Sequence, residues 1–228
     1  MTYTLITANR NYSSWSLRPW VLMKALAIPF EDELELFTMP VNYDAFRSFS
    51  PTGQVPALID EDRTVWDSLG IALYLADRHP GVWPQDEDAR AFAQSAVCEM
   101  HAGFPALRSA CTMNVGVRVK PRPMSGALVR EVHRVRELFE EGLDRFGGPW
   151  LAGSAFSAVD AFYAPVAFRI RTYGLDVGGG QAWVDAMLAH PAMLQWEQEA
   201  LAETWREESH EAEIAEAGEI IADYRVQA

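Results

Sequence analysis

Cysteine is scarce: the 228 residues hold only two, Cys98 and Cys111, thirteen positions apart. That spacing offers no Cys-x-x-Cys redox pair and no four-ligand zinc site, and no structural disulfide is expected. Positive charge is also in deficit, with 19 Lys and Arg against 32 Asp and Glu and a formal net charge of −13. A surplus of carboxylates repels phosphate backbones, so no nucleic-acid partner is expected. No run reaches the ~18 apolar residues of a membrane span. Met1 to Arg10 alternates Thr with Tyr, Leu and Ile, where a signal peptide would show a basic start and an apolar block. The expectation is a cytoplasmic protein without a membrane partner. Internal repeats and low-complexity tracts are absent from the sequence.

What is present is enough apolar material for a core, 49% of residues. A chain of this length buries roughly 70% of the surface that its unfolded form exposes. Two domains are expected, because the first eighty residues mix strand and helix signals whereas almost everything after Asp86 reads as helix. Thr2 to Ala8 and Phe30 to Leu36 are strand candidates, and between them Leu17 to Leu26 has a helical period stopped by Pro29. Ala57 to Ile59 and Thr64 to Trp66 flank the charged turn Asp60-Glu61-Asp62-Arg63, which is antiparallel hairpin spacing. Ser68 to Arg78 reads as a helix. The segment His79-Pro80-Gly81-Val82-Trp83-Pro84 breaks helices where the composition changes, so residues 81–86 are assigned as a linker between domains 1–80 and 87–228. Downstream helices are expected over Glu87 to Val115, Ser125 to Phe146, Ser157 to Tyr173, Gln181 to Ala189 and Ala192 to Trp205. The stretch Glu197 to Glu219 carries nine Glu against one Arg and is expected to be a solvated helix face.

Four short segments hold residues suited to chemistry. Asn11-Tyr12-Ser13-Ser14-Trp15-Ser16-Leu17-Arg18-Pro19 joins the first strand to the first helix. Proline is tolerated in a first helical turn and clashes deeper in, which selects Ser16 over Ser14 as the helix cap. Ser13 and Ser14 then precede the helix, beside unpaired N–H groups and the positive end of its dipole, a place suited to an anion. Gln54-Val55-Pro56 opens a strand. Sequence alone favours a trans bond at Pro56, and a cis bond would turn the Val55 backbone outward to pair with an extended peptide. Val65-Trp66-Asp67-Ser68 runs from a strand directly into a helix, so Asp67 or Ser68 is its cap. A ligand ammonium on Asp67 and a carboxylate on Ser68 form the functional alternative. Ser157-Ala158-Val159-Asp160 is a capping box.

In this order and spacing the segments resemble the glutathione transferase superfamily over nearly the whole chain. Gln54-Val55-Pro56 resembles its cis-proline element, Asp67-Ser68 its acidic-Ser pair, and Phe156-Ser157-Ala158-Val159-Asp160 its helical-domain capping motif. Ser13-Ser14-Trp15-Ser16 with Arg18 is similar to the zeta class of a bacterial, serine-type enzyme, with Trp15 where that class has cysteine and Asp67 where it usually has Gln. The resemblance implies a thioredoxin-like α/β domain, βαβ-α-ββα, followed by an all-helical domain. It implies glutathione as cosubstrate, held by Gln54, Val55, Pro56, Asp67 and Ser68, with its thiolate on Ser13 or Ser14 and Tyr12 as a third candidate. An apolar electrophile would sit among Tyr12, Trp15, Met100, His101, Phe104 and Cys111, with no metal ligands and a homodimeric assembly. Three activities stay open on this reading: thiolate transfer to electrophiles, glutathione-dependent cis-trans isomerisation, and non-catalytic binding. The basic segment Arg118 to Arg122 is expected to be a solvated connector.

Overall fold

A computed structural model describes residues 3–37 and 43–226; Met1 and Thr2, at the head of the expected first strand, lie outside them. The alternating sequence of β1 (Tyr3–Thr7) sinks Leu5 into the core, and the crossover helix α1 (Ser14–Ala25) returns the chain to β2 (Phe30–Leu34), parallel to β1. A parallel pair needs such a crossover, because no tight turn can join strands that run the same way. After the short α2 (Tyr43–Arg47), β3 (Ala57–Asp60) pairs antiparallel with β1 and with β4 (Arg63–Trp66), giving the order β2-β1-β3-β4. Glu61, at φ 57°, makes the hairpin turn. Helix α3 (Ser68–Ala76) completes a thioredoxin-like βαβ-α-ββα unit.

The second half is helical. Helix α4 (Glu87–Ala102) starts at an Asp86 cap whose carboxylate accepts from Ala89 N–H at 2.8 Å. A single helix to Val115 is not formed: α4 ends, Phe104 turns left-handed at φ 60°, and α5 (Pro105–Ala110) begins. Pro105 explains the break, since its ring disfavours helical backbone in the preceding residue. Helix α6 (Gly126–Phe146) follows a Ser125 cap and stops at left-handed Gly147. Helix α7 (Ala158–Tyr173) is buried along almost its whole length, and α1 and α4 pack against it. Its cap region centres on Asp160, whose carboxylate accepts from Leu151 N–H (2.9 Å), Ser157 N–H (3.0 Å) and the Trp183 indole (2.9 Å). Helices α8 (Gln181–Leu188), α9 (Pro191–Ala202) and α10 (Glu208–Ala217) complete the helical set.

The helical half also contains a two-stranded ribbon. The expected basic connector is a strand, β5 (Val117–Pro121), paired antiparallel with β6 (Gly218–Asp223). Val117 and Val119 face the core on alternate positions, so period-2 burial outweighs the cations and prolines around them. One apolar core runs through both halves, with Trp20, Trp183 and Trp196 fully buried. Buried Arg10 ties the halves together, ion-paired with Asp32 of β2 and with Glu199 of α9 at 2.9 Å, and lying 4.4 Å from the Trp196 ring. No helix among the described residues is long and apolar enough to cross a membrane.

Candidate active site

A cavity of about 670 Å³ opens where the α/β half meets the helical half. Nine of the residues singled out from sequence line it: Tyr12, Ser13, Ser14, Trp15, Gln54, Val55, Pro56, Asp67 and Ser68. Six come from the loops that precede α1, β3 and α3, and Ser14, Trp15 and Ser68 from the first turns of α1 and α3. The α/β core positions these loops, and surface loops can carry functional groups because they are not needed for packing.

Helix α1 begins earlier than expected, at Ser14, with Ser13 as its N-cap and Pro19 at the sixth helical position. Ser16 is drawn into the helix because its hydroxyl has another task. It accepts from Ala8 N–H at 3.2 Å, at the end of β1, and from the Ser13 hydroxyl at 2.7 Å. The two candidate serines therefore differ. Ser13 spends its proton on Ser16, whereas the Ser14 hydroxyl has no protein partner among the described residues and faces the cavity at the first turn of α1. The first-turn N–H groups and the helix dipole add positive potential there. Tyr12 is committed elsewhere: its hydroxyl donates to Glu211 at 2.7 Å, and burial with that carboxylate pushes its ionisation far above the usual range.

The Val55–Pro56 bond is cis, and Val55 exposes its backbone N–H and C=O without a protein partner among the described residues. Asp67 is the cap of α3, at φ 68°, with Oδ1 accepting from Leu69 N–H at 2.7 Å. Its Oδ2 lies 3.6 Å from His101 Nε2. The Ser68 hydroxyl accepts from Arg18 at 3.4 Å.

The other four expected wall residues, Met100, His101, Phe104 and Cys111, do not line the cavity. Met100, Phe104 and Cys111 are buried in the core, and burial pushes the Cys111 thiol up to about 11. His101 braces Asp67 and meets the Trp15 ring edge-on at 5.4 Å.

The helical wall is instead built from Arg108, Thr112, Met113, Arg169, His210 and Glu213. None of these was legible, because each lies on a helix or turn whose approach to the first sheet is set by long-range packing. Arg108 Nε donates to Gly103 C=O at 2.9 Å, one of its terminal nitrogens donates to Met100 C=O, and its guanidinium lies 4.9 Å from the Trp15 ring. Arg169 Nε donates to Cys111 C=O at 2.8 Å. Arg18 is buried beneath the site, 4.0 Å from the same Trp15 ring.

The acidic C-terminal stretch is a solvated face only in part: Glu208, Glu213, Glu216 and Glu219 are exposed, whereas other members reach the α/β half. Glu203 accepts from Arg10 N–H (2.5 Å) and Asn11 N–H (3.2 Å), and the Trp205 indole donates to Phe37 C=O at 2.7 Å. His210 stacks on Tyr12 and Phe37, with ring centroids 4.9 and 5.3 Å apart, and Arg225 grips Glu211 and Asp223. Glu203 and Glu211 thus face the α/β half, and His210 and Glu213 line the cavity.

Residues 12–78 match the family model described as glutathione S-transferase, N-terminal domain, and residues 124–199 the model described as glutathione S-transferase, C-terminal domain. A glutathione S-transferase of Arabidopsis thaliana is 27% identical over 187 residues, 72% of this chain and 84% of that one. Glutathione S-transferase theta-1 of Mus musculus is 26% identical over 212 residues, 84% of this chain and 81% of that one. Among solved structures, a glutathione transferase homologue from Burkholderia with bound glutathione superposes with a TM-score of 0.64 at 19% identity. The match covers 87% of this chain and 98% of that one.

Proposed function

Because the chain belongs to the glutathione S-transferase superfamily, we propose that it binds glutathione in the cavity, stabilises the thiolate on the Ser14 hydroxyl, and adds the sulfur to a small electrophile. One observation carries this reading: of the three hydroxyls beside the first turn of α1, only that of Ser14 has no partner among the described residues.

The residues present fit such a substrate. The unpaired Val55 edge takes the backbone of an extended peptide as an added strand would. Ser68 offers a hydroxyl to a carboxylate, and Asp67 Oδ2, which makes no hydrogen bond among the described residues, can accept from an ammonium. Ser14 donates to the sulfur. A free thiol ionises near 8.5, and bringing it down by two units takes about 2.7 kcal/mol of preference for the anion. A hydrogen bond to a charged group contributes about 1.5 to 3 kcal/mol. The helix N-terminus adds about 0.3 to 1 kcal/mol. One hydroxyl at this place is therefore sufficient. The displaced proton goes to solvent, the sulfur lone pair forms the new S–C bond, and the electrophile releases its leaving group or takes a proton.

Calorimetric titration of glutathione in buffers of different ionisation enthalpy tests this directly. Binding near neutral pH should release a proton, and one glutathione should be consumed per electrophile converted. Absence of binding, binding of the neutral thiol alone, or turnover that leaves glutathione unconsumed refutes the proposal. The assembly proposed with it is a cytoplasmic homodimer, which a monomer in sedimentation overturns.

A further inference from the structure

We infer that Arg108 and Arg169 form the seat for a carboxylate on the second substrate, so that the electrophile taken by this protein is an organic anion. The inference rests on the glutathione reading above and replaces the apolar electrophile expected from sequence.

Both arginines belong to the helical wall of the cavity. Arg169 is only 6% exposed, and its single hydrogen bond, from Nε to Cys111 C=O, leaves both terminal nitrogens without a protein acceptor among the described residues. Neither terminal nitrogen is sealed from the cavity. Arg108 spends Nε and one terminal nitrogen on the carbonyls that end α4, which leaves its other terminal nitrogen without an acceptor among the described residues. Arg18 lies next to them, fully buried, so three guanidiniums gather around Trp15 and α7.

No carboxylate lies within ion-pair distance of any of the three among the described residues. The nearby acids are placed elsewhere. Asp67 caps α3, Glu131 accepts from Ala106 and Leu107 N–H at 3.2 and 2.7 Å, and Glu213 stands exposed at the rim. A buried charge left uncompensated is costly, and buried charges are ordinarily paired. In a chain with 32 Asp and Glu, a pair of cavity-facing guanidiniums without a protein carboxylate is arranged for an anion that arrives with the ligand. The planar fork of arginine suits a carboxylate in particular. Burial, and then the Arg108 charge, push Arg169 down to about 10, so it remains cationic at neutral pH. Met113, Trp15 and Phe37 supply the apolar surface for the organic body.

The test compares equilibrium binding of S-benzylglutathione and S-(4-carboxybenzyl)glutathione to the full chain by calorimetry. These ligands share every glutathione contact and differ by one carboxylate. The carboxylated ligand is expected to bind about tenfold or more tightly, the scale of a charge-assisted hydrogen bond. Arg169→Gln should abolish that preference while the affinity for S-benzylglutathione stays. Arg108→Gln, at a less buried position, repeats the measurement if the first variant fails to fold. Equal affinities in the unaltered protein overturn the carboxylate seat and leave the glutathione reading standing. An equal loss for both ligands in the variants means that the arginines hold a carboxylate of glutathione itself, which also overturns it. If neither ligand binds, the glutathione reading fails and the seat fails with it.

Discussion

Replacing Ser14 by alanine removes the hydroxyl proposed to donate to the thiolate and leaves the hydrogen bonds of Ser13, Ser16 and Ala8 intact. The donor is worth about 1.5 to 3 kcal/mol to an anion, and a pKa unit corresponds to about 1.4 kcal/mol. The bound thiol should therefore ionise about one to two units higher in S14A than in the unaltered protein. The first-turn N–H groups of α1 still favour the anion, so part of the depression should survive. Ser13→Ala tests the converse. Its hydroxyl cannot turn to the sulfur without leaving Ser16 at 2.7 Å, so S13A should cost stability of about 1 kcal/mol and move the thiol pKa little. The assay is the ultraviolet absorbance of the thiolate in the binary complex, titrated across pH and checked against proton release in calorimetry. A Ser14→Ala complex that titrates like the unaltered protein, or a larger shift in S13A, refutes the assignment.

Three further outcomes follow from the same structure. Tyr12→Phe should leave the bound thiol pKa in place, because that hydroxyl already donates to Glu211, while costing about 1 to 3 kcal/mol at the C-terminal segment; a raised thiol pKa would transfer the role from Ser14 to Tyr12. Asp160→Ala leaves three N–H donors buried without an acceptor and should lower unfolding stability by about 3 to 5 kcal/mol in urea titration; a loss under about 1 kcal/mol would mean the cap network contributes little. At Glu207, burial raises the carboxyl, but the Ser209 hydroxyl and the His210 amide and ring outweigh it and hold the group down to about 2. A carboxyl held below its unfolded value stabilises the fold above about pH 4.5 and loses that contribution as pH falls toward 2. Amide exchange in residues 203–225 should accelerate over this window, and the acid limb should flatten in E207Q; pH-independent protection would refute the link.

Local signals carried a large part of the fold into the sequence. The Ser125 and Asp86 caps, the Asp160 box, the left-handed stop at Gly147 and the hairpin around Glu61 depend on hydrogen bonds between residues within a few positions of one another. Such signals survive without tertiary context. They also placed Val55, Asp67 and the serines at loop positions beside element ends, which is why these residues meet at one cavity. The same local reasoning misjudged the start of α1, because the Ser16 hydroxyl is claimed by Ala8 at the end of β1 and the helix is set from that contact.

What the sequence by itself determined, then, is the succession of elements in the α/β half, most helices of the second half, the superfamily and the α/β side of the site. Tertiary structure decided which hydroxyl is free, since Ser13 is paired within its own turn while Tyr12 meets a carboxylate 199 residues away. It decided that β5 pairs with β6, about a hundred residues later, and that Arg108 and Arg169 stand in the cavity where an apolar wall was expected. The physical reason is one of range. Backbone hydrogen bonds and apolar periodicity are written between neighbours in the chain, whereas the partner and exposure of a polar side chain depend on which distant elements pack around it.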